Sequence, residues 1–336
     1  MNHFVTLFDK NYLSRGLLLI DSLKKSYDTD FRLSVLAMDD SVYDFFVSNP
    51  YEGVTLISVE DMINAYSELD GLRKERTVAE FCWTLSSYSI KYVIEHYNPD
   101  MCTYVDSDLY FYSSPQVFID KMGDRSVLIT EHNYYHKYDY SELCGKFCVQ
   151  FMCFKNNEDG RRVLEWWRQK CEEWCYDRNE DGKFGDQKYL DDWESRFQGI
   201  VYNCNEIGCG VAPWNCQKYE LLKINNLLCV RDNISKLSSP MSFFHFHGIK
   251  RMVNEEWILS TYIIGDDFKK LYRKYIEKVI KKEELLNNKE LHWGALSEDP
   301  YKRKDKLKHA IKTSWQEFKK LYFGKPDYYS NIEKIL

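Results

Sequence analysis

Apolar residues in the first half of the chain fall into short runs separated by longer amphipathic stretches. Residues 4–8 form one such run and read as a buried strand, with Asp9-Lys10-Asn11 as the turn after it. Leu17, Leu18, Ile20, Asp21 and Leu23 sit in a helix that follows. Residues 32–38 predict a second strand, ending in Asp39-Asp40, and residues 54–58 a third. Residues 77–96 predict a helix with Phe81, Leu85, Tyr88 and Tyr92 on one face. Residues 102–105 and 127–130 predict two further strands. Strands alternating with helices predict an α/β sheet with parallel connections, flanked by helices. Such sheets bind ligands beyond the carboxyl ends of their strands.

Further on, residues 147–154 read as a strand. A helix follows, with Val163, Trp167, Cys171, Trp174 and Cys175 at helical spacing, and those tryptophans read as core. From residue 267 the pattern is helical: Phe268, Leu271, Tyr272, Tyr275, Ile276, Val279 and Ile280 recur at i, i+3, i+4, i+7. Leu307, Ile311, Trp315, Phe318 and Tyr322 suggest another helix. The chain therefore divides into a body, residues 1–265, and a helical C-terminal extension, residues 266–336.

Charge reinforces that division. Residues 267–336 carry 18 Lys and Arg against 11 Asp and Glu, whereas the whole chain is at −6, which leaves −13 on residues 1–266. A mostly acidic body argues against nucleic-acid binding. The basic helical faces read as solvated surface, or more sharply as a peripheral contact with anionic lipid. The apolar fraction of 44% supports a real core, and no run approaches a membrane span. The eleven cysteines are odd in number, lack C-x₂-C pairs, and follow an N-terminus without signal-peptide character. Free structural thiols in a reducing, cytoplasmic setting are expected.

Candidate chemistry centres on Tyr104-Val105-Asp106-Ser107-Asp108-Leu109. Side chains two apart on a strand point the same way, so Asp106 and Asp108 converge where the strand ends. Asp-x-Asp also occurs as a solvated turn. A converging pair is otherwise relieved by a divalent cation, and Mg²⁺ or Mn²⁺ held this way commonly carries substrate phosphates. Three later segments add to the pair. Gly185-Asp186-Gln187 brings a carboxylate and an amide; Gly208-Cys209-Gly210-Val211-Ala212-Pro213-Trp214-Asn215 is a tight loop whose Trp214 is expected to line a cleft. Phe243-Phe244-His245-Phe246-His247-Gly248 places two imidazoles on one side of a short apolar strand, with Lys250 and Arg251 at once after it. A loop beginning near His247 would turn it away from His245, as a packed or solvated residue. Trp83 and Thr84, on the helix before the aspartate strand, are candidate donor contacts. Asp39-Asp40 reads as loop.

With these motifs in order, the chain resembles the metal-dependent glycosyltransferases of the GT-A fold, of the glycogenin and lipopolysaccharide galactosyltransferase type. The matching positions are Asp9 and Tyr12 after the first strand, Tyr104 to Asp108, the strand at 147–154, Asp186-Gln187, and His245 to Lys250, and the likeness spans about residues 1–255. Two departures stand out. Cys148-Val149-Gln150 occupies the place of Asn-Ser-Gly, and lysine follows Gly248 by two positions where the family spacing is three, a place held by Arg251. The resemblance implies a mixed, mostly parallel sheet flanked by helices. It implies transfer of a sugar from a nucleotide diphosphate donor, a UDP-sugar, to a glycan or lipid-linked oligosaccharide, at the inner membrane face. It implies Asp106, Asp108 and His245 as ligands of Mn²⁺ or Mg²⁺, and Lys250 or Arg251 on the diphosphate. Thr6, Asp9 and Tyr12 form the base pocket, with Trp83, Thr84, Ser107 and Trp214 as further donor contacts. Asp186 and Gln187 would touch the donor sugar or the acceptor, with Asp186 the first candidate for a catalytic carboxylate and Glu206 the second.

Other classes share parts of this pattern. A haloacid-dehalogenase-like phosphatase uses Asp-x-Asp after its first strand, whereas here it follows the fourth. A sugar nucleotidyltransferase calls for a Gly-rich, Arg-containing loop after strand one, and Phe8-Asp9-Lys10-Asn11-Tyr12 is not that. A non-catalytic carbohydrate-binding protein would not require a carboxylate pair beside cationic residues.

Overall fold

A computed structural model describes residues 1–27, 29–252 and 256–287, with the two short strands Leu296–Ser297 and Ile332–Lys334. The first eight strands are β1 (Asn2–Phe8), β2 (Phe31–Ala37), β3 (Val54–Ser58), β4 (Met101–Val105), β5 (Leu109–Phe111), β6 (Val127–Glu131), β7 (Phe147–Lys155) and β8 (Val201–Cys204). Seven of them form one sheet in the order β3-β2-β1-β4-β7-β6-β8. Within it β7 runs antiparallel to both neighbours and the other pairs are parallel. The sheet is mixed and mostly parallel and is flanked by helices, as the GT-A resemblance implies; the alternation alone points to parallel connections and does not foresee the antiparallel β7.

Strand β1 shows how the sequence sets the layers. Successive side chains point to opposite faces. Val5 and Leu7 join a core with the helices Val78–Tyr97 and Glu158–Glu173; Phe4 and Phe8 join a second core with the helix Leu13–Ser26. Both faces are covered, and all seven residues of β1 are buried, the polar Asn2, His3 and Thr6 included. The chain runs outward from β1 to β2 and β3, then returns to β1's other side at β4. The crevice beyond the ends of β1 and β4 is thus the point where strand order reverses, the place where open α/β sheets take ligands.

The remaining strands build around that crevice. β9 (Tyr219–Ile224), β10 (Leu227–Asp232) and β11 (Ser238–Pro240) form a small antiparallel sheet. β12 (Phe243–His245) pairs antiparallel with β5, and β13 (Lys250–Met252) with β14 (Glu256–Ile258). β15 (Leu296–Ser297) and β16 (Ile332–Lys334) flank these last two. The helix Asp266–Asn287 carries the predicted apolar stripe; Phe268, Leu271, Tyr272, Tyr275, Ile276 and Val279 are buried against Phe244 and Phe246 of the body.

Three sequence expectations change. The helix over Val163 ends at Glu173; Trp174 is extended, so Trp174 and Cys175 lie past it, although both are buried as core. Asp39 caps the helix Asp40–Ser48, its carboxylate accepting from the Val42 N–H. The extension is not helical throughout, since β15 and β16 return to pair with β13 and β14. The helix expected over Leu307, Ile311, Trp315, Phe318 and Tyr322 lies outside the described residues. No described helix is long and apolar enough to cross a membrane, and all eleven cysteines are free thiols.

Candidate functional site

Register brings the site together. In the β5–β12 pairing His245 faces Leu109, and the Phe246 N–H donates to the Asp108 carbonyl at 3.0 Å. One imidazole is thereby laid beside the carboxylates that leave the end of β4. His245 Nε2 lies 2.9 Å from Asp108 Oδ1 and 3.8 Å from Asp106 Oδ2. Its other nitrogen, Nδ1, is 2.8 Å from Gln150 Oε1. An amide oxygen can only accept, so Nδ1 carries a proton and donates, which leaves Nε2 to face the carboxylates. A carboxylate, an imidazole and a partner that orients that imidazole make the donor set of a cation site.

His247 completes a cluster that the strand alternation allows and a loop would undo. Ligand atoms of Asp108, His245 and His247 all lie within 4.8 Å of one another. The expectation that His247 turns away is corrected: a loop does begin after β12, but Gly248 at φ +80 turns the backbone and the ring stays on the His245 side. The Trp214 ring packs edge-on against both imidazoles, with centroids 5.2 Å and 5.6 Å away.

The electrostatics follow from burial and spacing. Burial pushes the Asp106 carboxyl up to about 6; His245 opposes that rise and the like charge of Asp108 adds to it. Asp108 is also desolvated, but the charge and hydrogen bond of His245 outweigh burial and hold it below the usual carboxylate range. His245 is correspondingly raised, Asp108 outweighing desolvation. Asp186 is pushed up to about 8, first by burial and then by Asp106. Ser86 bonds both Asp186 and Tyr104, and the Tyr104 hydroxyl donates to Asp106 Oδ1 at 3.1 Å, so the two acids belong to one network. The Asp186 backbone carbonyl accepts from Trp167 Nε1 at 2.9 Å, which fixes it against the core.

The other candidates separate into near and far. Tyr12 is close enough for Asp108 to act on it, and Arg15 stacks on the Tyr12 ring at 4.5 Å. Asp9 caps the turn after β1, accepting from the Asn11 N–H and side-chain amide. Thr6 is fully buried beside β4, and its hydroxyl has no partner among the described residues. Ser107 is part-buried in the turn between Asp106 and Asp108. Trp83 packs over Gly185, next to Asp186. The Gln187 amide nitrogen donates to the Cys144 carbonyl at 2.8 Å. Lys250 is exposed and acts on His247; Arg251 pairs with Glu283 at 3.1 Å.

Three positions do not face the crevice as expected. Thr84 is fully buried, its hydroxyl donating to the Glu80 carbonyl and accepting from Arg76, so it touches no ligand. Trp214 is 3% exposed and lies behind the imidazoles, Nε1 bonded to the His132 carbonyl, so it supports the site rather than lining a cleft. Glu206 is ion-paired with Lys121 at 2.6 Å, apart from the Asp106–His245 cluster. Sequence reasoning missed two residues. Gln150 carried a signal, because it stands where the family pattern breaks. Arg15 carried none: it is one of many basic residues, and only the fold places its guanidinium on the Ile249 carbonyl, with Asp108 acting on it.

No protein-family model matches the chain. It is 27% identical to the uncharacterized protein YfnD of Bacillus subtilis (strain 168) over 281 residues, 82% of this chain and 87% of YfnD. Among solved structures it is similar to mouse xyloside xylosyltransferase 1 in the apo form, with 11% identity, TM-score 0.45, and coverage of 74% of this chain and 98% of that one. It is also similar to the galactosyltransferase LgtC in complex with donor and acceptor sugar analogs, with 14% identity, TM-score 0.46, and coverage of 73% and 87%.

Proposed function

We propose that this chain is a glycosyltransferase that moves a sugar from a nucleotide diphosphate donor, a UDP-sugar, to a glycan or lipid-linked oligosaccharide. The observation that carries the reading is the convergence of Asp106, Asp108 and His245 at the switch point of the sheet, with Asp186 in the same network. Asp106, Asp108 and His245 would hold Mn²⁺ or Mg²⁺. A cation so held offsets charge that develops on a departing diphosphate.

The chain's own residues do the rest. Asp9 and Tyr12, at the end of β1, would meet a base, with the buried Thr6 packed beneath them; Ser107, between the two aspartates, and Trp83, over Gly185, would be further donor contacts. Lys250 supplies mobile positive charge at the rim, and Arg251, braced by Glu283, a fixed one. Asp186, pushed up to about 8 by burial and then by Asp106, would touch the donor sugar or the acceptor and is the first candidate for a catalytic carboxylate. Gln187 follows it, anchored through its amide nitrogen. Trp214 backs the imidazoles, and Glu206, ion-paired with Lys121 away from the cluster, takes no part in this reading. The exposed Arg273, Lys274, Lys278 and Lys281 face solvent on the C-terminal helix, where an anionic membrane surface would meet them.

Thermal unfolding with UDP, GDP and CDP, each with and without Mn²⁺, tests the reading on the wild type and on Asp108→Ala. A ligand that binds only the folded state adds about 2.7 kcal/mol at roughly a hundredfold its dissociation constant. A shift with UDP that needs Mn²⁺ and vanishes in Asp108→Ala is expected. No shift with any nucleotide would sink the donor assignment.

A further inference from the structure

We infer that His247 is an additional ligand of the cation site formed with Asp106, Asp108 and His245, and that this second imidazole makes the site select Mn²⁺ over Mg²⁺. The inference rests on the cation reading above and adds to it both a ligand and a metal preference. Nothing in the sequence pattern required it: the loop after β12 could have carried His247 to either side.

Three observations on the structure point the same way. Asp108, His245 and His247 are the described residues that present ligand atoms within 4.8 Å of one another. The two imidazoles stand nearly perpendicular at 5.4 Å between centroids rather than stacked, and a nitrogen of each lies within 4.8 Å of the other and of an Asp108 oxygen. Trp214 packs against both rings, and its own Nε1 is fixed to the His132 carbonyl, so the pair is held by one rigid wedge. Burial differs across the cluster: Asp108 and His245 are buried, and His247 is exposed. Two ligands are therefore set into the fold, and the third stands on the solvent side, where an ion arrives.

Donor chemistry then sets the preference. Mg²⁺ is hard, keeps its waters, and is bound through carboxylates and phosphates; imidazole nitrogen suits the later first-row ions. Each carboxylate exchanged for imidazole thus moves a site away from Mg²⁺. Along the Irving–Williams order affinity rises from Mn²⁺ to Co²⁺, and Mg²⁺ gains nothing from the second nitrogen.

The test uses metal-stripped full-length protein without nucleotide. Calorimetry gives Mn²⁺ and Mg²⁺ affinities for the wild type, His247→Ala and Asp108→Ala, with circular dichroism confirming that each is folded. Electron spin-echo modulation on bound Mn²⁺ counts directly ligated nitrogens. The expected result is a wild type that binds Mn²⁺ at least about tenfold more tightly than Mg²⁺, with two nitrogens on the ion. His247→Ala should weaken Mn²⁺ by about 10–100-fold, leave Mg²⁺ nearly unchanged and show one nitrogen. If His247→Ala binds Mn²⁺ like the wild type while Asp108→Ala does not, the inference falls and the cation site stands. If Asp108→Ala also binds like the wild type, or the wild type binds no cation, both fall.

Discussion

Asp106 and Asp108 reach the site from the end of β4, a central strand enclosed on both faces by apolar side chains. His245 and His247 reach it from β12, a strand of three residues, and the loop beyond. The first wall is held by burial: Val105 and Phe151 at the end of β4, and Phe154 farther along β7 against Trp167 and Trp193, are fully inaccessible. The second is held by directed hydrogen bonds. Asn215, 1% exposed, accepts from the Ala212 N–H and donates to the carbonyls of His132 and Gly210, and Val211 accepts from the His245 N–H. Gly208 and Gly210 both sit at positive φ, and a Cβ at Gly208 would lie 2.2 Å from the Pro240 carbonyl oxygen. Apolar packing fixes where a strand ends, whereas bonded loops fix which way a side chain faces. The two walls should therefore fail differently.

Phe154→Ala should give the largest effect, about 3–5 kcal/mol lost in denaturant unfolding, with Mn²⁺ affinity of the remaining folded protein little changed. A comparable loss of Mn²⁺ affinity would show that the packed wall also sets the site's geometry. Gln150→Leu should do the reverse. It removes the acceptor for His245 Nδ1, and Mn²⁺ affinity measured by calorimetry should fall about 10–100-fold, a larger change than its melting temperature predicts.

Each wall also holds a histidine that burial keeps neutral. His3, on β1, is lowered to about 4 by desolvation and then by Arg32, and His132 to about 3 by desolvation. The unfolded chain takes up protons below its ordinary histidine range while the folded protein does not. Stability is therefore full above about pH 6.5 and is lost as pH falls toward 4, with each histidine contributing about 1–3 kcal/mol. His3→Phe should flatten the fall in denaturation midpoint between pH 7 and pH 4.5, and an unchanged slope would assign the acid sensitivity to other groups. The smallest effect is expected outside both walls. Lys121→Ala breaks the pair with Glu206, which should cost no more than about 1 kcal/mol and leave Mn²⁺ binding unaltered; altered binding would place Glu206 at the ion.

Legibility in the sequence divides along the same line. Periodicity located six of the seven strands of the large sheet, and β3 and the aspartate pair fall where the pattern put them; β8 was missed, being only four residues long and half-buried at the sheet edge. The β9–β10 hairpin was overlooked despite a signal: Asn225 and Asn226, both at positive φ, form the two-residue turn between them. Trp214 and His247 were misjudged because their orientation depends on contacts between segments distant in sequence. A stretch such as His-Phe-His-Gly fixes its own alternation only while it stays a strand, and β12 stops at His245. Thr84 looked accessible because its helix is amphipathic, yet Arg76 reaches back over it.

The β5–β12 register has a consequence for how the protein is made. His245 and the Gln150 that orients it are 95 residues apart, and closing so long a loop is entropically slow. During synthesis, β1 to β4 can associate while the segment bearing His245 is still unmade. In that interval Asp106 and Asp108 are adjacent acids without their imidazole partner. The nascent chain therefore carries its sheet before its chemistry, and the site closes only when the late strand β12 docks on β5.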